Sequence, residues 1–256
     1  MLDIVQIPVL NDNYVYLLRD TASEATAVVD PAVAGPVTAA LAQSGWTLTH
    51  ILNTHHHGDH VGGNLELKRA SGCTIVGPAA DRDRIPGIDI ALADGDDYQF
   101  GSLGARVLDV PGHTRGHIAY YFADDEALFC GDTLFALGCG RLFEGTPAQM
   151  LKSLNKFAAL PDTTRVYCAH EYTEANGRFA LTVEPDNGAL IARMEEVHRM
   201  RAAGRPTVPS TLGTERSTNP FLRSSAAGLR ATLGMEAASD VDVFARTRQL
   251  KDEFRG

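Results

Sequence analysis

No apolar run in these 256 residues approaches the length that crosses a bilayer. The opening stretch, Met1 to Leu10, has neither the basic start nor the apolar core of an export leader, so a cytoplasmic protein is expected. Cysteine is sparse. Cys73, Cys130, Cys139 and Cys168 are scattered without C-x-x-C spacing, which argues against a disulfide framework, a thiolate zinc site and an iron–sulfur centre. Each reads as a small buried hydrophobe. Basic charge is also short, with 23 Lys and Arg against 32 Asp and Glu and a net charge of −9. That balance excludes nucleic acid or an anionic membrane as the main partner, since either wants a basic stripe. An anionic small substrate would need a local basic pocket. There is no G-x-S-x-G elbow, no G-x-x-x-x-G-K-[ST] phosphate loop and no G-x-G-x-x-G opening a helix. The Gly138-Cys139-Gly140-Arg141 stretch lacks that strand–helix setting and reads as a turn.

What the chain does have is histidine in one place. Thr54-His55-His56-His57-Gly58-Asp59-His60 holds four of the nine histidines, directly after the apolar run Leu48 to Leu52. A His-x-His-x-Asp-His pattern at a strand end lets imidazoles and a carboxylate converge on two ions rather than one. His56 lies between the ligand positions and is expected to point away or to support them. Three further segments place ligand-type residues just after apolar strands. They are Asp109-Val110-Pro111-Gly112-His113, Cys130-Gly131-Asp132 and Cys168-Ala169-His170.

The surrounding pattern predicts strands at 4–7, 14–18, 27–29, 48–53, 74–76, 104–110, 118–122, 127–130 and 165–168, with helices at 34–44 and 63–71. Gly45 and Gly72 follow those helices as stop signals. Thr146-Pro147-x-Gln149 has the capping residue, proline and glutamine of a helix start. From about 171 strand signals vanish, and helices are expected at 173–183, 187–203 and 236–249. The expectation is two sheets packed face to face, helices outside, with the polar residues along one rim. A doubly wound single sheet is the competing architecture. Residues 1–170 are expected to form the catalytic domain and 171–256 a small helical one.

The ligand chemistry suggests one cation at His55, His57 and His113, a second at Asp59, His60 and His170, and Asp132 between them. Two aspartates against two dications leave such a centre electrophilic, suited to activating water. Imidazole and carboxylate accept zinc, iron or manganese, with zinc placed first. His117 and Asp109 are read as supporting residues rather than ligands.

These residues resemble the metallo-β-lactamase superfamily and, within it, the hydroxyacylglutathione hydrolase (glyoxalase II) family. The superfamily signature is Thr54 to His60 with His113, Asp132 and His170. The narrower match lies in Pro111-Gly-His-Thr-x-Gly-His117, Gly131-Asp-Thr-Leu-Phe135, Gly138 to Thr146, His170-Glu-Tyr-Thr173, Asn219-Pro-Phe-Leu-Arg223 and Lys251-Asp-x-Phe254. The resemblance spans almost the whole chain. It implies an α+β fold, an αββα four-layer sandwich with a small helical C-terminal domain. It also implies hydrolysis of S-(2-hydroxyacyl)glutathione, typically S-D-lactoylglutathione, by two divalent metal ions, with Asp59 and Asp132 as catalytic ligands. Glutathione contacts carry over to Arg141, Phe143, Tyr172 and Arg223, guanidinium forks being suited to carboxylates. Phe143 stands where some relatives have tyrosine. Ser224 to Ala227 lacks a basic residue that relatives can place nearby. A monomer is expected. The alternatives are another hydrolase of the superfamily acting on lactones, β-lactams, phosphodiesters or other thioesters, a one-iron persulfide dioxygenase, and a non-catalytic metal-binding protein.

Overall fold

A computed structural model describes all residues from Met1 to Gly256. The chain divides into two compact units, Met1–Asp109 with Arg115–Gly131, and Val110–Thr114 with Asp132–Gly256.

The first unit opens with β1 (Leu2–Val9), β2 (Asn13–Asp20) and β3 (Thr26–Val29), followed by α1 (Ala34–Ser44) and β4 (His50–Leu52). Next come α2 (Gly58–Val61), α3 (Asn64–Ser71), β5 (Thr74–Pro78) and β6 (Ile90–Leu92). The strands form one sheet in the order β1-β2-β3-β4-β5-β6, antiparallel as far as β3 and parallel from β3 onward. Parallel neighbours need a crossover, and α1 and then α2–α3 supply it. A second, antiparallel run holds β7 (Asp97–Phe100), β8 (Leu103–Asp109), β9 (Ile118–Phe122) and β10 (Ala127–Gly131).

Alternation along β2 explains how the two sheets meet. Val15 and Leu17 join Val28, Val37, Ile51, Leu67 and Ile75 in the core beneath the helices. Tyr16, of opposite parity, packs its ring 5.6 Å from that of Phe129 on β10. Phe100, Phe122 and Phe129 continue that inter-sheet layer. The Tyr120 hydroxyl reaches across to donate to the Asn53 carbonyl at 3.0 Å. Covered on both faces, β9 and β10 are buried at every residue and read as continuous apolar runs. Two facing sheets with helices outside replace the alternative of one doubly wound sheet.

The second unit continues with the hairpin β11 (Leu134–Phe135) and β12 (Gly138–Cys139), then α4 (Pro147–Ala158) and β13 (Arg165–Cys168). After these come α5 (Thr173–Val183), α6 (Gly188–Ala202), β14 (Ser210–Thr211), α7 (Leu212–Thr218), α8 (Ala227–Leu233) and α9 (Asp240–Glu253). The Thr146 capping box forms as the sequence indicates, with Thr146 and Gln149 satisfying each other's backbone N–H groups. Leu190, Met194 and Val197 form a packing stripe on α6 that meets Ala180 and Leu137. The last helix starts at Asp240, later than the expected 236, because Ser239 caps it by accepting the Asp242 N–H. A buried carboxylate ties this helical region to the hairpin. Glu215 accepts from Leu137 N–H, Arg193 and Asn219. Asn219 in turn donates to the carbonyls of Phe135 and Gly138. A fully buried charge is tolerable only with such complete pairing. No helix of the chain is long and apolar enough to cross a membrane.

Candidate metal centre

Each unit contributes its own group of ligand-type side chains. In the first, β4 ends beside β3 in parallel register, which brings the residue after each strand together. Asp30 follows β3 with φ of 49°, a left-handed turn that aspartate tolerates better than most residues. Its Oδ1 accepts the Thr54 N–H at 2.8 Å. Its Oδ2 accepts the Thr54 hydroxyl at 2.7 Å and lies 3.1 Å from Nδ1 of His60. A carboxylate only accepts here, so His60 carries its proton on Nδ1 and offers Nε2 as a lone-pair donor. Asp30, His55 and His60 are mutually close enough to surround an ion.

The same tautomer logic applies to His55. The Thr54 hydroxyl already donates to Asp30, so it accepts from His55 Nδ1 at 3.0 Å. His55 Nε2 then faces His57 Nδ1 at 3.1 Å. His117 stacks on the His55 ring at 4.5 Å and directs its own Nδ1 to the Ile118 carbonyl. Gly131, at φ of 48°, closes against this stack. A β-carbon there would collide with the Thr54 hydroxyl and the His117 ring. Asp59 is partly exposed, accepts from the buried Asn13 amide at 3.1 Å and lies 3.7 Å from His60 Nε2.

In the second unit Asp132 lies between two imidazoles. Its Oδ2 is 3.4 Å from His113 Nε2, and its Oδ1 is 3.4 Å from His170 Nε2. His113 Nδ1 donates to the Arg141 carbonyl at 2.9 Å, which leaves Nε2 as the lone-pair nitrogen facing the carboxylate. A carboxylate with one oxygen turned to each of two imidazoles has an oxygen beside each of two potential donor nitrogens. Nitrogen and oxygen donors without thiolate fit zinc, iron or manganese.

Aromatic and cationic side chains surround that second group. Phe143 is 62% exposed, with its ring 5.1 Å from His113, and so does not fill the core. Tyr172 stacks parallel on His170 at 4.7 Å, and Phe135 meets both rings edge-on. Arg141 extends from this edge towards Asp252, with Nε 3.8 Å from its carboxylate. Arg248 donates to Asp252 at 2.9 Å and to the Cys139 carbonyl at 2.9 Å. Lys251 rests over Phe179 and Phe254. Burial, together with repulsion from Arg248, Arg178 and Arg141, draws the Lys251 ammonium down to about 8, against the partial support of Asp252. Arg141, Arg248 and Lys251 thus gather around the Asp252 carboxylate, a local cluster of cations in an acidic chain.

Arg223 is engaged differently. Its Nε and Nη2 grip the buried Glu184 carboxylate at 2.9–3.0 Å, and Nη1 donates to the Arg216 carbonyl at 3.2 Å. Asp30 and Asn13 were not singled out from sequence. A buried aspartate at the end of a strand preceding the histidine strand was the available signal for Asp30; Asn13 had none beyond its turn-like neighbours.

Comparison with known proteins agrees along the whole chain. Residues 10–170 match the family model of the metallo-beta-lactamase superfamily, and residues 171–254 match that of the hydroxyacylglutathione hydrolase C-terminus. The hydroxyacylglutathione hydrolase of Methylococcus capsulatus is 64% identical over 100% of both chains. That of Rhodospirillum rubrum is 58% identical over 99% of each. Among solved structures, ETHE1 from Myxococcus xanthus superposes with a TM-score of 0.68 at 24% identity, over 97% of this chain and 90% of its own. TTHA1623 in a di-iron-bound form gives 0.61 at 27% identity, over 86% of this chain and all of its own. The fold is the α+β metallo-β-lactamase type with a small helical C-terminal region, and the chain carries the ligand motifs of a binuclear metal-dependent hydrolase. By sequence over its full length, the chain belongs to the hydroxyacylglutathione hydrolase family of the metallo-β-lactamase superfamily.

Proposed function

We propose that the chain hydrolyses S-(2-hydroxyacyl)glutathione, typically S-D-lactoylglutathione, to glutathione and a 2-hydroxy acid. One divalent cation would be held by His55, His57 and His113, and the other by Asp59, His60 and His170, with Asp132 shared. The observation that carries this reading is Asp132, whose two oxygens face His113 and His170 separately. Zinc is the proposed metal, with iron or manganese as alternatives. When bound, such cations supply Lewis acidity at the thioester carbonyl and lower the pKa of water.

The chain's own residues supply orientation. Asp59, partly exposed and steadied by Asn13, would help hold and orient the attacking water oxygen while serving as a ligand. A thiolate leaves with little need of protonation, which suits a site that offers no separate acid. Phe143 and Tyr172 present apolar faces beside the ligand histidines for the thiol carrier. Glutathione has two carboxylates, and Arg141 and Lys251 are the cations proposed to receive them. Arg223 is retained as a proposed contact, reached only by exchanging Glu184 for a substrate carboxylate. Residues 1–170 are proposed as the catalytic domain and 171–256 as the substrate-binding domain, in keeping with family models that meet at that point. The working form is proposed to be a cytoplasmic monomer.

The test is a thioester assay across glutathione and other thiol carriers, run with metal content per chain. Two cations and preferential cleavage of the glutathione thioester are expected. A single iron would favour the dioxygenase alternative, and a fully metallated chain that cleaves no thioester would end the proposal.

A further inference from the structure

His56 lies inside the histidine motif but outside the proposed ligand set, and both of its ring nitrogens have partners. Nδ1 is 3.0 Å from Asp81 Oδ2, and Nε2 is 3.1 Å from Arg84 Nη1. Arg84 also donates through Nε to Asp81 Oδ1 at 3.0 Å, and its Nη2 meets the same oxygen. A guanidinium only donates, so Nε2 of His56 accepts and the ring proton stays on Nδ1, directed to Asp81. The three side chains thus close a ring of hydrogen bonds that fixes the orientation of the His56 ring.

The ring joins two loops. His56 is on the segment leaving β4, while Asp81 and Arg84 lie on the short helix Ala79–Arg84 after β5, the neighbouring strand. Asp81 is fully buried, pressed against Gly116, where a β-carbon would collide with its carboxylate. Such an anchor is far stiffer than an exposed pair. On either side of His56 in sequence are His55 and His57, whose nitrogens face each other 3.1 Å apart. Holding the central ring restrains the backbone of that segment, and with it the directions in which the neighbouring side chains leave it.

We propose that His56 is a positioning residue, clamped by Asp81 and Arg84 so that His55 and His57 present their nitrogens to one cation. The inference rests on the reading of those two residues as ligands. It is tested by competing cobalt or zinc off the full-length protein with a chromophoric chelator, for wild type, His56→Ala and His56→Gln. Circular dichroism of the metal-free proteins is recorded alongside. His56→Ala should bind one of two cations about 10–100-fold more weakly and keep the metal-free fold. His56→Gln should recover most of the loss, because a carboxamide offers one donor and one acceptor as the imidazole does. An alanine variant that holds both cations as tightly as wild type overturns the clamp. Should that variant fail to fold, Arg84→Met removes only the guanidinium side and must still weaken one cation; unchanged affinity overturns the proposal equally. Turnover is read in parallel. A wild type that binds two cations but cleaves no glutathione thioester sinks the proposed function, while the difference between variants still decides the clamp.

Discussion

The two groups of ligand-type residues are built by different means. His55, His57, Asp59 and His60 lie within one short segment, the turn after β4 and the helix α2, and buried side chains brace it: Asp30 fixes His60 and Thr54, and Asp81 holds His56. His113, Asp132 and His170 come from three distant segments, and the brace on His113 is a backbone carbonyl, that of Arg141. A contiguous loop can point its side chains correctly only if something holds the loop, so it needs carboxylate props. Scattered ligands are held by the fold that brings their strands together, so they depend on packing such as the Glu215 network behind the hairpin. The first group is therefore sensitive to hydrogen-bond chemistry and the second to tertiary stability.

Asp132→Ala should have the largest effect, because it removes the residue proposed to be shared by both cations. Activity should fall on the order of 100–1000-fold, the scale of losing a principal electrostatic element of a site. Two-metal spectra of the cobalt form should vanish, and spectra unchanged from wild type would rule out a bridging position. Asp30→Asn tests the carboxylate prop without changing size. An amide nitrogen facing His60 Nδ1 would force the other tautomer and put the proton where the lone pair is needed, so affinity for one cation should fall about 10–100-fold. Titration with a competing chelator measures this, and wild-type affinity would mean that Asp30 does not choose the tautomer.

In the second unit, Glu215→Ala should act on stability. It leaves Arg193 without its partner in a buried setting, with an expected cost of about 3–5 kcal/mol, readable by chemical denaturation. A loss below about 1 kcal/mol would show the pair to be no better than a surface contact.

The cationic surface gives the smallest effects. Lys251→Ala should raise KM for the glutathione thioester about tenfold, the scale of one charge-assisted hydrogen bond, and leave a small uncharged thioester untouched. Arg223→Ala should lower Tm, because Glu184 loses its partner, and should also raise KM for the glutathione thioester; an unchanged KM would remove Arg223 from the proposed contacts. The pH dependence has a definite sign. With the Lys251 ammonium at about 8, its charge is present below that pH and fades above it, so KM for the glutathione thioester should climb as pH passes about 8. Lys251→Arg, always charged, should flatten that rise. Stability moves the opposite way. The ordinary lysine value of 10.5 lies above the folded one, so the unfolded chain holds more protons between about 8 and 10.5, and this group favours folding more as pH rises through that window.

The histidine motif and the alternation of elements are legible in the sequence. The Thr54 to His60 motif, the ligand residues after strand ends and the Thr146 capping box are local signals, because residue type and spacing along one segment suffice to specify them. The apolar periods that mark β2, β9, β10 and α6 are legible for the same reason. Only the tertiary structure decided which charges are available and which are committed. Arg223 and Lys251 look alike in sequence, yet a buried glutamate far along the chain occupies one and neighbouring arginines surround the other. Asp30's place after a strand is legible, but its partners, like those of Asp81 and Glu215, are not, because a carboxylate's role depends on which donors fold against it, and most of those donors lie on other elements.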